Sequence, residues 1–403
     1  MTPGVKLKYA AGLGQYGLNF PASDYVDEGV RLIRTTDLAD GSLASEVTGI
    51  YVPQDAVDDT DRLSPGDLLL SRSGTIGRAY LAPKAADGMA FAGFLVRFRP
   101  GPDADGRFLF YCTQSAEFQA VVERDAISST IQNFNADRYN NLEVPLPGLD
   151  EQRAIAHHLD RETARIDTLI EEQQRLIEML RERRAASISA ALEGFDKTRL
   201  RRVVDSHRPM TYGILQCGPP VEGGVPYVGP SDIVGEGLSP ARADLRTTTA
   251  EIAATYQRSV LAGGDLVVSI GPAYGKVAVV AEDLTGANLT QDTVRVALRP
   301  DLVDPRFVVW VLVSRQTSDY WDREIMGATF RRLNLGTLAR TPIPLPNLPE
   351  QRRIARHLDE QTAKIDELVS EAERFIELSR ERRAALITAA VTGQIDVREG
   401  EVA

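Results

Sequence analysis

A near-verbatim internal repeat constrains this chain more than any other feature of it. Residues 144–194 read VPLPGLDEQRAIAHHLDRETARIDTLIEEQQRLIEMLRERRAASISAALEG. Residues 343–393 read IPLPNLPEQRRIARHLDEQTAKIDELVSEAERFIELSRERRAALITAAVTG, and the two align without a gap at about 30 identical positions of 51. Shared composition does not produce such agreement over that length, so the segment is a duplication.

Each copy reads as one long helix. No Gly or Pro interrupts 150–193 or 350–392, each copy opens after a Pro-containing turn, and each stops at a glycine, Gly194 or Gly393. Apolar residues return at coiled-coil spacing as Ile155, Leu159, Ile166, Leu169, Leu176 and Leu180, then as Ile354, Leu358, Ile365, Leu368 and Phe375. Glu162, Gln173 and Arg183 interrupt that seam. A lone helix cannot bury such a stripe, and its own duplicate is the expected partner, in an antiparallel pair.

The segments before each helix match more weakly. Tyr16-Gly17-Leu18 corresponds to Tyr212-Gly213-Ile214, and VRLIRTTDL (30–38) to VPYVGPSDI (225–233). GDLLLSRSGTIGRAYL (66–81) answers to GDLVVSIGPAYGKVAVV (264–280), and ISSTIQNFN (127–135) to MGATFRRLN (326–334). The chain is therefore unit, helix, unit, helix. The expected fold class is α+β: two mixed globular units separated by two long helices, with an internal repeat. Expected boundaries are 1–147 and 197–345 for the units, 148–196 and 346–396 for the helices, and 397–403 for a tail.

Composition narrows the function classes. The length of 403 residues suits two or three domains with full cores. No apolar run approaches the roughly 20 residues of a membrane helix, and the N-terminal stretch lacks the pattern of a signal peptide. Cys112 and Cys217 stand far apart and suggest neither a disulfide framework nor a structural metal site; a cytoplasmic location is expected. The net charge of -11 disfavours an extended nucleic-acid grip by this chain alone. Residues 197–345 carry 17 Lys/Arg against 15 Asp/Glu, a balance of +2, whereas residues 1–147 come to about -6. A more basic partner is expected to supply part of any hold on DNA.

The heads offer polar clusters suited to DNA. GDLLLSRSGTIG alternates poorly, as a strand covered on both faces does, and runs into a glycine-punctuated turn. That turn groups Ser71, Arg72, Ser73, Gly74, Thr75 and Arg78; its counterpart groups Ser269, Tyr274 and Lys276. Glycines admit close approach of backbone to phosphate, while hydroxyls, Arg and Lys serve phosphate oxygens and base edges. The stretch 128–141 adds Ser129, Thr130, Gln132, Asn133 and Asn135, amides and hydroxyls that can pair with adenine. The second unit has Thr329, Arg331, Arg332 and Asn334 there, and Arg favours guanine. Arg34 and Thr35 in VRLIRTTDL complete the candidates. An ordinary hairpin tip or polar loop remains the plain alternative for each.

Other patterns carry less. GLGQYG (12–17) satisfies G-x-G-x-x-G but lacks the strand, helix and distant acid of a dinucleotide site. His157 and His158 adjoin on the first helix, and only His158 has a counterpart, His357. No nucleophile–base set, phosphate loop or NPPY/DPPY methyltransferase motif occurs, so no metal, cofactor or catalysis is expected of this chain. The helix openings Glu151-Gln152-Arg153 and Glu350-Gln351-Arg352, with Arg183, Arg184, Arg382 and Arg383 in the two RERRAA runs, are the expected partner-facing residues.

The order of parts, the PLPxLxEQRxIAxxLD…AxID openings, the GDLLLSRSGTIG turn and the VPLP and IPLP exits together resemble the specificity (S) subunit of Type I restriction–modification systems. The resemblance covers essentially the whole chain. It implies target-recognition domains that each read half of a split, asymmetric DNA site, with paired helices setting the gap. It implies two partner methyltransferase subunits that use S-adenosylmethionine to methylate adenine N6, and room for a motor-endonuclease subunit. SIGPAYGK (269–276) departs from the family's Ser-Arg-x-Gly-Thr turn, which weakens residue assignment in the second unit. A target subunit of a Type II-like modification system, and a coiled-coil scaffold that ignores DNA, are the competing expectations.

Overall fold

The computed structural model describes residues 4–39, 42–43, 49–127, 133–271, 273–325, 332–395 and 397. The chain divides into two compact units: Met1–Gln174 with Glu373–Ala403, and Arg175–Ala372. The division cuts through both long helices, because each helix end packs into the core of one unit. The expected boundaries at 147 and 345 mark chain order, not compact bodies.

In the first unit a four-stranded antiparallel sheet runs β1 (Gln15–Tyr16), β6 (Leu95–Phe98), β3 (Leu68–Ser71), β4 (Ala79–Leu81). A smaller sheet centres on β2 (Val30–Ile33), antiparallel to Ile50–Val52 and parallel to β5 (Ala90–Phe91). Strand β3 explains its unbroken leucines. Leu68 and Leu70 enter one apolar cluster with Phe98 and Phe108, whereas Leu69 enters another with Ile33, Tyr80 and Phe91. Both faces are covered, so no polar alternation survives. The chain ends of the head are tied by Gly4–Lys6 pairing antiparallel with Glu143–Pro145, just before the VPLP exit.

The second unit repeats this frame. Its sheet runs β7 (Thr211–Tyr212), β12 (Thr293–Val296), β9 (Leu266–Ser269), β10 (Val277–Val279), and β8 (Val225–Val228) pairs in parallel with β11 (Asn288–Leu289). Leu266 and Val268 face one cluster and Val267 the other. Lys197–Arg199 and Pro342–Pro344 tie the head's ends.

Each head presents a short apolar helix to its long helix: α1 (Gly106–Thr113) to α2 (Leu149–Ala191), and α3 (Pro305–Leu312) to α4 (Leu348–Val391). The long helices have 43 and 44 residues, about 65 Å at 1.5 Å per residue. Gly194 and Gly393, three and two residues past them, hold positive φ angles of 83° and 72°, which an L side chain resists. The helices are thus shorter than the expected 148–196 and 346–396.

The seam differs from the expected one over its middle. The buried line runs through Ile155, Leu159, Thr163, Ile166, Ile177, Leu180 and Ile188, and in the second helix through Ile354, Leu358, Thr362, Ile365, Ala372, Ile376 and Ile387. Leu169, Leu176, Leu368 and Phe375 point outward, at 38%, 37%, 48% and 42% exposure. A strict heptad from Leu159 leads through Thr163, Ile166 and Ile170 to Gln173, Ile177 and Leu180, so threonine and glutamine occupy positions that an apolar search skips. Thr163 meets the need by donating its hydroxyl to the Leu159 carbonyl at 2.6 Å. Pairing is antiparallel within each unit. In the first, Arg383 meets Asp167 at 3.1 Å while Ile387 and Ala390 share a core with Ile155 and Leu159. In the second, Arg184 meets Asp366 at 3.0 Å while Ile188 and Leu192 share a core with Ile354 and Leu358.

Candidate nucleic-acid interface

The turn after β3 is built by residues expected to contact DNA. Ser71 is buried; its hydroxyl donates to the Thr75 carbonyl and accepts from the Arg78 amide at 3.1 Å. Ser269 repeats this, donating to Ala273 O at 2.8 Å and accepting from the Lys276 amide at 2.9 Å. Both serines are therefore turn struts, not ligand contacts: each hydroxyl has spent its only donor within the turn and is shut away from any ligand. Tyr139, whose hydroxyl donates to Ser71 O at 2.7 Å and accepts from the Gly77 amide at 3.1 Å, locks the turn from below. Its burial pushes its hydroxyl pKa up.

What the turn leaves outward is Ser73, Gly74 and Thr75. Arg78 is committed inward, donating to Leu38 O at 2.7 Å. Arg34 closes on buried Asp37 at 2.9 Å, and its own amide donates to the same carboxylate, so it caps the short helical turn that contains Thr35. Asn135 and Asn334 are exposed, yet each is a helix N-cap, accepting from Arg138 N at 2.9 Å and Thr337 N at 2.8 Å. Ser129, Thr130, Gln132, Thr329 and Arg331 lie outside the described residues.

The structure gathers Arg72 and Asn133 around a residue that the sequence reading passed over as a mere landmark, Tyr16. The Arg72 guanidinium lies 4.6 Å over the Tyr16 ring, and its Nε donates to Asn133 Oδ1 at 3.2 Å. In the second head the candidates separate into two clefts. Tyr274 and Lys276 line one of about 360 Å³ with Glu236 and Trp321, where the Tyr274 hydroxyl meets Asp322 and Lys276 Nζ donates to Pro230 O at 3.3 Å. Arg332 and Asn334 line another of about 790 Å³ with Tyr212, Tyr256 and Gln291. The signal for the tyrosines was in the sequence: an aromatic retained before an invariant glycine in two heads that otherwise diverged. A Cβ on Gly17 or Gly213 would stand 2.0 Å from the carbonyl oxygen of Phe91 or Leu289, which explains the glycine and fixes the tyrosine beside it.

The helix roots form a second conserved constellation. Gln152 is fully buried; its Oε1 accepts from Asp105 N at 2.8 Å and its Nε2 donates to the carbonyls of Asp103 and Pro147 at 2.9 and 2.8 Å. Gln351 makes the same three bonds, with Asp304 N, Leu302 O and Pro346 O, at 2.9, 3.0 and 2.8 Å. About two turns along, Tyr111 donates to Asp160 at 2.7 Å and Trp310 donates to Asp359 at 2.9 Å. Arg107 and Arg306 pair with the same two aspartates. Gln152 and Gln351 were expected to face a partner; with every amide atom used internally, they latch helix to head instead. Arg184 and Arg383 are likewise turned inward, toward Glu236 and Asp366 and toward Asp167 and Gln114. Arg153, Arg183, Arg352 and Arg382 are exposed, while Glu151 and Glu350 are half-buried, Glu350 paired to Arg353 at 2.6 Å.

Among the described residues no cluster of His, Cys, Asp and Glu has metal-binding geometry, and no helix is long and apolar enough to cross a membrane.

The family model for the Type I restriction modification DNA specificity domain matches residues 29–179 and again 221–374. The chain is 22% identical to the Type I restriction enzyme EcoBI specificity subunit of Escherichia coli, over 94% of this chain and 83% of that one. The similarity to the StySPI specificity subunit of Salmonella potsdam, at 23% identity, covers 46% of this chain and 40% of that subunit. The fold resembles a chain solved in work on complex assembly and conformational transition of the type I R-M system, with a TM-score of 0.75 at 17% identity, over 97% of this chain and 98% of that one.

Proposed function

The chain belongs to the Type I restriction modification DNA specificity family, and on that premise we propose that it is the non-catalytic, address-giving subunit of a DNA-modifying complex. Each head reads one half of a bipartite, asymmetric site in double-stranded DNA. The helices hold the halves at a fixed gap and dock two methyltransferase subunits, with a motor-endonuclease subunit able to join them. S-adenosylmethionine binds the methyltransferase, and this chain holds no cofactor of its own.

The observation that carries this reading is the contrast inside one duplication. The frame, the latches and the helices are retained, whereas the outward residues beside Tyr16 and Tyr212 have changed. A spacer kept constant between unlike heads suits two unlike half-sites and two like partners. The outward apolar residues support the second point. Leu169, Leu176 and Met179 recur at equivalent places as Leu368, Phe375 and Leu378, all exposed. Single exposed apolar side chains need no explanation, but three pairs at helical spacing fit a protein surface met twice. The acidic balance of the first head also fits a complex in which partner subunits clasp the DNA.

Removing one heptad from each long helix, which preserves the seam, tests the reading. Methylated adenines mapped in a host expressing the whole complex should show unchanged half-site bases and a gap shorter by about 3 base pairs, from seven residues at 1.5 Å each. Altered half-site bases with an unchanged gap would overturn the spacer role.

A further inference from the structure

The two heads place an arginine at two different positions near the same tyrosine. The equivalence is set by backbone bonds. In the first head, Arg72 N–H donates to Phe94 O at 3.0 Å and Arg72 O accepts from Phe134 N–H at 2.9 Å. In the second, Ile270 N–H donates to Asp292 O at 2.8 Å and Ile270 O accepts from Leu333 N–H at 3.0 Å. Ile270 therefore stands where Arg72 stands, and Arg332, just before Leu333, stands where Asn133 does. The tyrosine is the fixed point: Tyr16 lies opposite Val96 and Tyr212 opposite Val294, and each next glycine is pressed against a neighbouring strand. Tyr16 and Tyr212 are 44% and 52% exposed.

Arg72 is held at its backbone, at Nε by Asn133, and at its face by the Tyr16 ring, whose hydroxyl in turn accepts from Ala136 N at 2.9 Å. No carboxylate among the described residues forms an ion pair with it. Its two terminal amino groups are thus carried in a fixed plane with their charge uncompensated, which is the geometry for a two-point contact with the O6 and N7 acceptors of guanine. Arg332 is fixed by different partners, 3.0 Å from Asp292 and donating Nη2 to Gln291 O at 2.8 Å, in the cleft it shares with Tyr212 and Tyr256. One amino group remains for a ligand there. A long flexible cation frozen in advance loses little freedom on binding, so its contact discriminates more than a mobile lysine or arginine would.

We propose that the arginine beside this tyrosine is the base-discriminating residue of each head, Arg72 for the first half-site and Arg332 for the second, each reading a guanine edge in the major groove, with Tyr16 a positioning residue for Arg72. The proposal rests on the DNA-reading function inferred above. It makes the placement of an arginine at one or the other of two neighbouring positions, beside an unchanged tyrosine, the way the two heads acquired two addresses.

The experiment selects bound sequences from a pool of randomised duplexes, using the full chain assembled with its methyltransferase subunits. Arg72→Ala and Arg72→Lys should each lose discrimination at one guanine of the first half, by roughly 5- to 150-fold, the range of a two-point contact. The second half and the gap should be unchanged, and Arg332→Ala and Arg332→Lys should do the converse with a smaller loss, because only one amino group of Arg332 is free. Tyr16→Leu should weaken the same guanine preference as Arg72→Ala, whereas Tyr16→Phe, which keeps the ring, should retain most of it. Melting temperatures of the assembled complexes establish that the variants fold, and the lysine variants keep the charge. An unchanged selected motif, or a uniform loss of affinity with the motif intact, would overturn the proposal by reducing the arginines to phosphate contacts. A wild-type complex that selects no motif would overturn the DNA reading itself.

Discussion

The helix roots and the head rims went through the same duplication with opposite outcomes. At the roots, Gln152 and Gln351 make the same three bonds, and Asp160 and Asp359 each receive an arginine and an aromatic side-chain donor. At the rims, Arg72 stands where the second head has Ile270, and Asn133 where it has Arg332. The difference is one of spare bonding capacity. A buried amide with every donor and acceptor engaged cannot change without orphaning its partners, and orphaned buried groups cost more than the bond contributed. A rim residue in contact with water loses nothing comparable when it changes, so the rim is free to diverge.

The strongest way to break this comparison lies where the two roots differ. Trp310 and Tyr111 occupy equivalent places, but Trp310 also lies beneath the Arg306 and Arg184 guanidiniums at 4.8 and 5.8 Å. Trp310→Ala should cost about 3–5 kcal/mol in chemical unfolding of the second unit, and a loss under 1 kcal/mol would show that the root is not a keystone. Next come Gln152→Ala and Gln351→Ala. Each should destabilise by about 1–3 kcal/mol, and the two losses should agree closely because the bonds are the same. Unequal urea midpoints for the two variants would break the claimed equivalence. Tyr111→Phe should cost about 1–2 kcal/mol, since it keeps the ring and loses one bond to a carboxylate; a neutral result would assign the Asp160 contact to solvent. The smallest effect on stability is expected at the outward stripe. Leu169→Glu with Leu368→Glu should change unfolding by at most about 0.5 kcal/mol. The same pair should sharply reduce co-purification of the methyltransferase subunits. Retained assembly would sever the stripe from partner docking.

Much of the architecture was legible in the residues. The duplication, the two helices, their glycine stops and the doubly covered strand around Leu69 all follow from local pattern, because helix propensity, capping and burial on both faces are written in neighbouring residues. The seam was legible only in part. Spacing along the chain picks out Ile155, Leu159 and Ile166 correctly, but it also admits Leu169 and Leu176, which are apolar and near the right period yet point outward. Thr163 holds the true line, and a polar residue in a seam is intelligible only once its hydrogen-bond partner, here the Leu159 carbonyl, is known. The site was less legible still. Ser71, Ser269, Gln152 and Gln351 look like contact residues by type, yet their partners make them struts. The serines' partners lie within their own turns, but those of Gln152 come from the head, and Tyr139, far along the chain, locks the turn around Ser71.

By itself the sequence determined that this chain is a repeated unit and long helix, because a gapless repeat and uninterrupted helical spacing leave few other folds. It also carried, in Tyr16-Gly17 and Tyr212-Gly213, an exposed aromatic kept in both heads. The tertiary structure alone decided which polar groups were already spent and which remained for a ligand. Bonding capacity is settled atom by atom between residues far apart in the chain, as when Arg72 is fixed by Asn133 and Tyr16, and no spacing rule along the chain reports it.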